Sequence, residues 1–107
     1  MIKYLKKFLV QSKEMRKIAE SISNNVLFIQ NIMDDFNNNK ERKEIIDYNN
    51  TRTEFTISID GSSFKIKPSK SPEANASSYF QNAKLLETKA KKAEKLILTQ
   101  SKTKKKN

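Results

Sequence analysis

The apolar residues of this chain change their spacing twice, and that change limits the folds open to it more than any other feature. Leu5, Phe8, Ser12, Met15, Ala19, Ile22, Val26, Ile29, Met33 and Phe36 follow one another at alternating intervals of three and four. This is the a/d repeat of a helix that packs against another helix, with one polar interruption at Ser12. Phe55, Ile57 and Ile59 then alternate with polar neighbours, Asp60-Gly61 follows, and Phe64 and Ile66 resume the alternation. Period two on either side of Asp-Gly is the signature of a β-hairpin closed by a tight turn. From Ala76 the helical spacing returns through Tyr79, Ala83, Leu86, Ala90, Ala93 and Ile97.

The expected fold is therefore α+β, with four segments. A heptad helix occupies residues 1–36, a β-hairpin element residues 44–68, a second heptad helix residues 71–98, and a disordered, Lys-rich tail residues 99–107. Ser23-Asn24-Asn25 are weak helix formers that can bend or break the first helix. Asn37-Asn38-Asn39 supply its stop, because Asn tolerates a left-handed cap. Residues 45–50 alternate weakly and form a further candidate strand. An isolated hairpin is marginal in water, so its apolar face needs a helix over it, and Tyr79 and Phe80 are the expected lids. Four of the seven seam positions in the last helix are Ala, which allows close approach but buries little area per contact. Phe80, Leu85 and Leu96 widen that helix's apolar face.

Composition narrows the chemistry. The 107 residues include no Cys, no His and one Gly. Thiolate catalysis, disulfides, zinc knuckles and Gly-rich phosphate loops are thereby excluded. Asp34-Asp35 is the only adjacent carboxylate pair, and neighbours on a helix point about 100° apart, so they do not converge on a metal. The expectation is a protein without catalytic residues, metal or cofactor. Asn49-Asn50-Thr51 and Asn75-Ala76-Ser77 match glycosylation sequons by chance in an Asn-rich chain. No uninterrupted apolar run is long enough to span a bilayer, and Lys3, Lys6 and Lys7 interrupt the N-terminal apolar residues; a cytoplasmic location is expected.

The formal net charge of +10 is unevenly placed. Residues 1–22 carry six basic groups against two acidic, residues 23–70 seven of each, and residues 84–107 nine Lys against two Glu. Lys84, Lys89, Lys91, Lys92, Lys95, Lys102, Lys104, Lys105 and Lys106 are accordingly the candidate nucleic-acid-binding residues. Lysines neutralise phosphates as mobile point charges and give salt-sensitive binding with little sequence reading. Only Arg16, Arg42 and Arg52 offer a planar fork, so bidentate recognition of bases is not expected. The competing reading of the helical lysines is a solvated face on which Glu87 and Glu94 pair with Lys91 and Lys95.

One block has a distinctive residue order. Ser71 is a good N-cap, Pro72 suits the first helical position, and Pro68, Asn75, Ala76, Tyr79 and Phe80 complete the run. It resembles the Pro-x-x-Ser-Pro-x-x-Asn-Ala-x-x-Tyr-Phe segment of the NFACT family, ribosome quality-control factors also known as fibronectin-binding protein A-like. Ile22, Asn25, Leu27 and Ile29 are similar to that family's preceding helix, and the resemblance spans roughly residues 14 to 97. Lys67 stands where the pattern has an acid, and Ala74 where bacterial members often have Glu. The resemblance implies a short β element leading into the first arm of a coiled coil, cytoplasmic location, and docking on the large ribosomal subunit and its rRNA. Family members also bind tRNA and tail stalled chains. No position here matches their tRNA-contacting residues, so the expectation is a partial module without tailing activity. Within the block, Asn75 reads as a structural residue that fixes the angle between strand and helix. The alternative is a scaffold that pairs its heptad seams with each other or with a second copy, with a non-specific basic tail. Neither reading includes a small-molecule substrate or a membrane partner.

Overall fold

The computed structural model describes the backbone from Ile2 to Lys106 and the side chains from Tyr4 to Leu96. The elements run α1 (Ile2–Asn24), α2 (Val26–Asn37), β1 (Ile45–Tyr48), β2 (Phe55–Ile59), β3 (Ser62–Ile66) and α3 (Pro72–Lys106). The class is α+β: three helices and one antiparallel sheet of order β1-β2-β3.

The first heptad run is not one helix. It breaks at Asn25, whose φ of −131° and ψ of 33° leave the helical region. The Asn25 side chain donates from Nδ2 to the Ser21 carbonyl at 2.7 Å, so the amide occupies an acceptor at the end of α1. On the far side α2 buries Ile29, Ile32, Met33 and Phe36, one helical face at intervals of three, one and three. The Asn run ends α2 as expected. Asn39 takes φ of 58°, Asn39 N–H donates to Phe36 O at 3.1 Å, and Lys40 N–H donates to Asp35 O at 2.8 Å. This pair of bonds around a left-handed residue is the Schellman arrangement.

The β element has three strands rather than two. β2 and β3 form the expected hairpin, with Phe55 opposite Ile66 and Ile59 opposite Ser62. Asp60 and Gly61 both have positive φ, 50° and 79°, which matches the twist a two-residue hairpin turn requires. The weak run at residues 45–50 contributes β1, paired antiparallel to β2 through a bulge between Ile45 and Asp47. Asn49 builds the connection to β2: its Oδ1 accepts from the N–H groups of Thr53 at 2.9 Å and Glu54 at 3.1 Å.

The core gathers Ile22, Ile29, Ile32, Met33 and Phe36 from the helices, Phe55, Ile57, Ile59, Phe64 and Ile66 from the sheet, and Ala76 from α3. Tyr79 packs on its edge as expected, whereas Phe80 lies half-buried outside that cluster. The sheet is roofed chiefly by α2, which supplies Ile29, Ile32, Met33 and Phe36 to that cluster. Beyond the core, α1 and α3 pack along each other. Ile22 shares the core with Ala76, and Arg16 bonds to Glu87, so residue numbers fall along α1 as they rise along α3 and the pair is antiparallel. Ser12 and Ala19 are buried here, as are Ala83, Ala90 and Ala93. The molecule measures 67 × 25 × 23 Å, a sheet-containing head with a two-helix arm.

Two further expectations need correction. The arrangement is an α+β domain in which the helices enclose a sheet, not a long heptad coiled coil. The backbone of residues 99–106 continues α3 and does not form a disordered tail.

Candidate polyanion interface

The Ser71–Phe80 block sets the direction in which α3 leaves the sheet. Ser71 Oγ accepts from Ala74 N–H at 3.1 Å and thereby caps the helix, and Pro72 is buried. Asn75, 4% exposed, links strand to helix with its whole side chain. Its Oδ1 accepts from Lys67 N–H at 2.9 Å, and its Nδ2 donates to Ser71 O at 2.9 Å, Lys67 O at 3.1 Å and Lys70 O at 3.3 Å. The Tyr79 hydroxyl donates to Lys65 O at 2.6 Å, occupying the outer edge of β3. Burial pushes the Tyr79 phenol above its ordinary pKa. Pro68, Ser71, Pro72, Asn75, Ala76 and Tyr79 are thus the joint between head and arm.

The three arginines are all committed within the chain. Arg16 forms a fork with Glu87, Nε to Oε1 at 2.6 Å and Nη2 to Oε2 at 3.0 Å. Arg42 reaches Asp35 at 2.9 Å and Glu44 at 3.0 Å. Arg52, itself at φ of 56°, lies 4.0 Å from the Phe36 ring centroid and 5.0 Å from that of Tyr48, and donates to Phe36 O at 2.7 Å. A cleft of about 660 Å³ opens beside it, lined by Phe36, Lys40, Arg42, Tyr48 and Arg52 among others.

The Arg16–Glu87 fork replaces the pairing of Glu87 with Lys91 that the sequence suggested. Glu87 is held below the ordinary glutamate pKa, first by that hydrogen bond and then by the Arg16 charge, with smaller contributions from Lys91 and Lys84. Asp34 accepts from Gln30 Nε2 at 2.9 Å, while Asp35 turns to Arg42. Among the described residues no group of His, Cys, Asp or Glu is placed to hold a metal ion. None of the described helices is long and apolar enough to cross a membrane.

Lys84, Lys89, Lys91, Lys92 and Lys95 are all exposed on α3. Lys102, Lys104, Lys105 and Lys106 belong to the same helix by backbone, but their side chains, like that of the seam residue Ile97, lie outside the described residues. The antiparallel pairing adds what the sequence reading had not assigned: Lys6, Lys7, Lys13 and Lys17 of α1 lie along the same arm, exposed. Within residues 4–18 and 84–96 there are ten basic side chains against three acidic, and within residues 19–83 seven against nine. The charged end is the arm, and it takes both helices to make it. The signal available in sequence was the excess of basic residues near the N-terminus, which has meaning only once the two helices are known to pair.

No match to this chain was found among protein-family models, curated proteins or solved structures. None of these comparisons supports identity as an NFACT or fibronectin-binding protein A-like factor or the rRNA- and tRNA-binding that such membership implies. The coiled coil expected with it is corrected, because the structure is an α+β domain and not a long heptad coiled coil. The motif residues form a joint within a small α+β domain, and the seam expected to run as a coiled coil is interrupted at Asn25.

Proposed function

We propose that this chain is a non-enzymatic cytoplasmic docking module whose basic two-helix arm attaches to the large ribosomal subunit. The observation that carries the reading is the concentration of positive charge on the arm beside a head that is close to neutral. A field of this shape draws a polyanion to one end of the molecule and orients it on approach. Lysines dominate that end, while Arg16, Arg42 and Arg52 are taken up by contacts within the chain, which suits attachment to phosphates without reading of bases. The resemblance of the residue order from Pro68 to Phe80 to the NFACT family's segment is the ground for choosing the large subunit as the particular polyanion. The scaffold reading is the weaker one, because Ser12, Ala19, Ala83, Ala90 and Ala93 of the two seams are already buried against each other within one chain.

The test is co-sedimentation of the purified protein with separated large and small subunits at low and moderate salt. Retention on large subunits at moderate salt, with none on small subunits, is the expected result. Equal retention on both, lost as salt rises, would reduce the chain to an unselective polyanion binder.

A further inference from the structure

The lysines of the arm do not surround it evenly. A residue advances about 100° round an α-helix, so each side chain can be placed relative to the buried seam of its own helix. Taking Ser12 and Ala19 as the seam of α1, and Ala83 and Ala90 as that of α3, Arg16 and Glu87 each sit about 50° away in the same rotational sense. Equal offsets in the same sense fall on one face of an antiparallel pair, and the contact between Arg16 and Glu87 shows that they do. Farther round in that sense come Lys6, Lys13 and Lys17 at about 110–150°, and Lys84, Lys91 and Lys95 at about 90–130°. Lys7, Lys89 and Lys92 fall on the opposite side or the back by the same construction.

The two rows also share a rhythm. Lys6, Lys13 and Lys17 are spaced by seven and four, and Lys84, Lys91 and Lys95 by seven and four. With Arg16 level with Glu87, Lys17 stands near the height of Lys84, Lys13 near Lys91 and Lys6 near Lys95. The three pairs are about 8 Å apart at a rise of about 1.5 Å per residue. The Arg16–Glu87 fork closes the groove between the rows and neutralises itself there. Glu94 and Glu20 fall on the same face at about 30° and 90°, so six lysines stand there against two further carboxylates.

We propose that this face of the arm, three lysine pairs flanking the Arg16–Glu87 fork, is a track for the phosphate backbone of RNA. It rests on the docking function proposed above and names the surface and the ligand chemistry. A linear polyanion fits a ladder of paired point charges, since each step neutralises phosphates wherever the strand lies between the rows. A protein partner fits it less well: protein interfaces are depleted in Lys and anchored by exposed aromatic residues. The aromatic side chain that this placement sets beside these lysines, Phe80 one turn before Lys84, is already half-buried.

Two triple variants with equal charge loss test this. One carries Lys6→Gln, Lys13→Gln and Lys17→Gln; the other carries Lys7→Gln, Lys89→Gln and Lys92→Gln. Binding is measured across a salt series to purified large subunits and to a fluorescein-labelled RNA duplex of mixed sequence, with circular dichroism melts to confirm that the fold is kept. The first variant is expected to lose about tenfold or more in affinity for both ligands and to lower the salt slope by about one for each phosphate contact removed. The track takes Lys89 and Lys92 out of the set of candidate binding residues, so the second is expected to stay within about threefold of the unaltered protein. A third variant, Lys84→Gln, Lys91→Gln and Lys95→Gln, repeats the loss from the other row should the first fail to fold. Equal losses from the first two variants, or full binding by the first, overturn the track. Binding of the unaltered protein to polyglutamate as tight as to the duplex overturns RNA as the ligand. Failure on large subunits alone, with the duplex still discriminating the variants, overturns the docking function and leaves the track standing. Failure on both ligands overturns both.

Discussion

At the scale of single residues, Asn75 carries more of the fold than any charged group. Its four short contacts satisfy backbone groups at the end of β3, in the connection and at the start of α3. Asn75→Ala removes the partner and leaves a Lys67 N–H without an acceptor in a shielded place, so the variant should lose about 2–3 kcal/mol in urea unfolding. A loss below about 0.5 kcal/mol would show that water reaches those groups. Gly61 is a simpler case. A Cβ built there meets nothing within 4 Å, so Gly61→Ala is opposed by its φ of 79° and not by crowding. The expected penalty is about 1 kcal/mol, read from the shift in thermal midpoint.

At the scale of elements, the sequence made the hairpin and its turn legible because β2 and β3 are buried on one face only. Their burial alternates, and Asp60-Gly61 has one common use. β1 was faint for the converse reason: Ile46 and Tyr48 remain exposed, and the bulge breaks the alternation at the point where it would be read. The first seam read as one helix because α2 keeps the three–four spacing across the break, and only Ser23-Asn24-Asn25 betrayed it. Phe80 shows the same limit on the opposite side, since adjacent aromatics cannot both face the sheet and spacing alone does not say which one does. Ile57→Ala should therefore cost about 3 kcal/mol through lost burial and a cavity, while Phe80→Ala should cost less than about 1.5 kcal/mol. Comparable losses in parallel denaturant titrations would put Phe80 back in the core. The lysine rows were beyond the sequence reading, because they exist only after two distant segments are laid side by side.

For the whole molecule, acid should act on the joint stability of head and arm. The carboxylates of Glu87 and Glu44 are both held below their ordinary range, each first by a hydrogen bond from an arginine, Arg16 and Arg42 respectively. A lowered native pKa contributes stability that is present above the unfolded value and is lost as pH falls through the native one. Thermal midpoints should therefore hold between about pH 7 and pH 5 and drop below about pH 4.3, the ordinary glutamate value. Glu87→Gln should flatten part of that drop, and an unaltered pH profile in this variant would remove the fork from the explanation.

The seam of small residues gives the molecule a mechanical character. Ala83, Ala90 and Ala93 let the helices lie close, yet each supplies little apolar area, whereas the head concentrates its large side chains in one place. The arm is thus a zip fastener whose slider is the sheet: closing residues 25–71 brings α1 and α3 together, and pairing then runs outward with steadily less to gain per turn. Amide hydrogens should exchange in a gradient from the far turns of the arm toward the head. A polyanion that seats across both helices would fasten the open end, so ligand should slow exchange most where the unbound protein exchanges fastest.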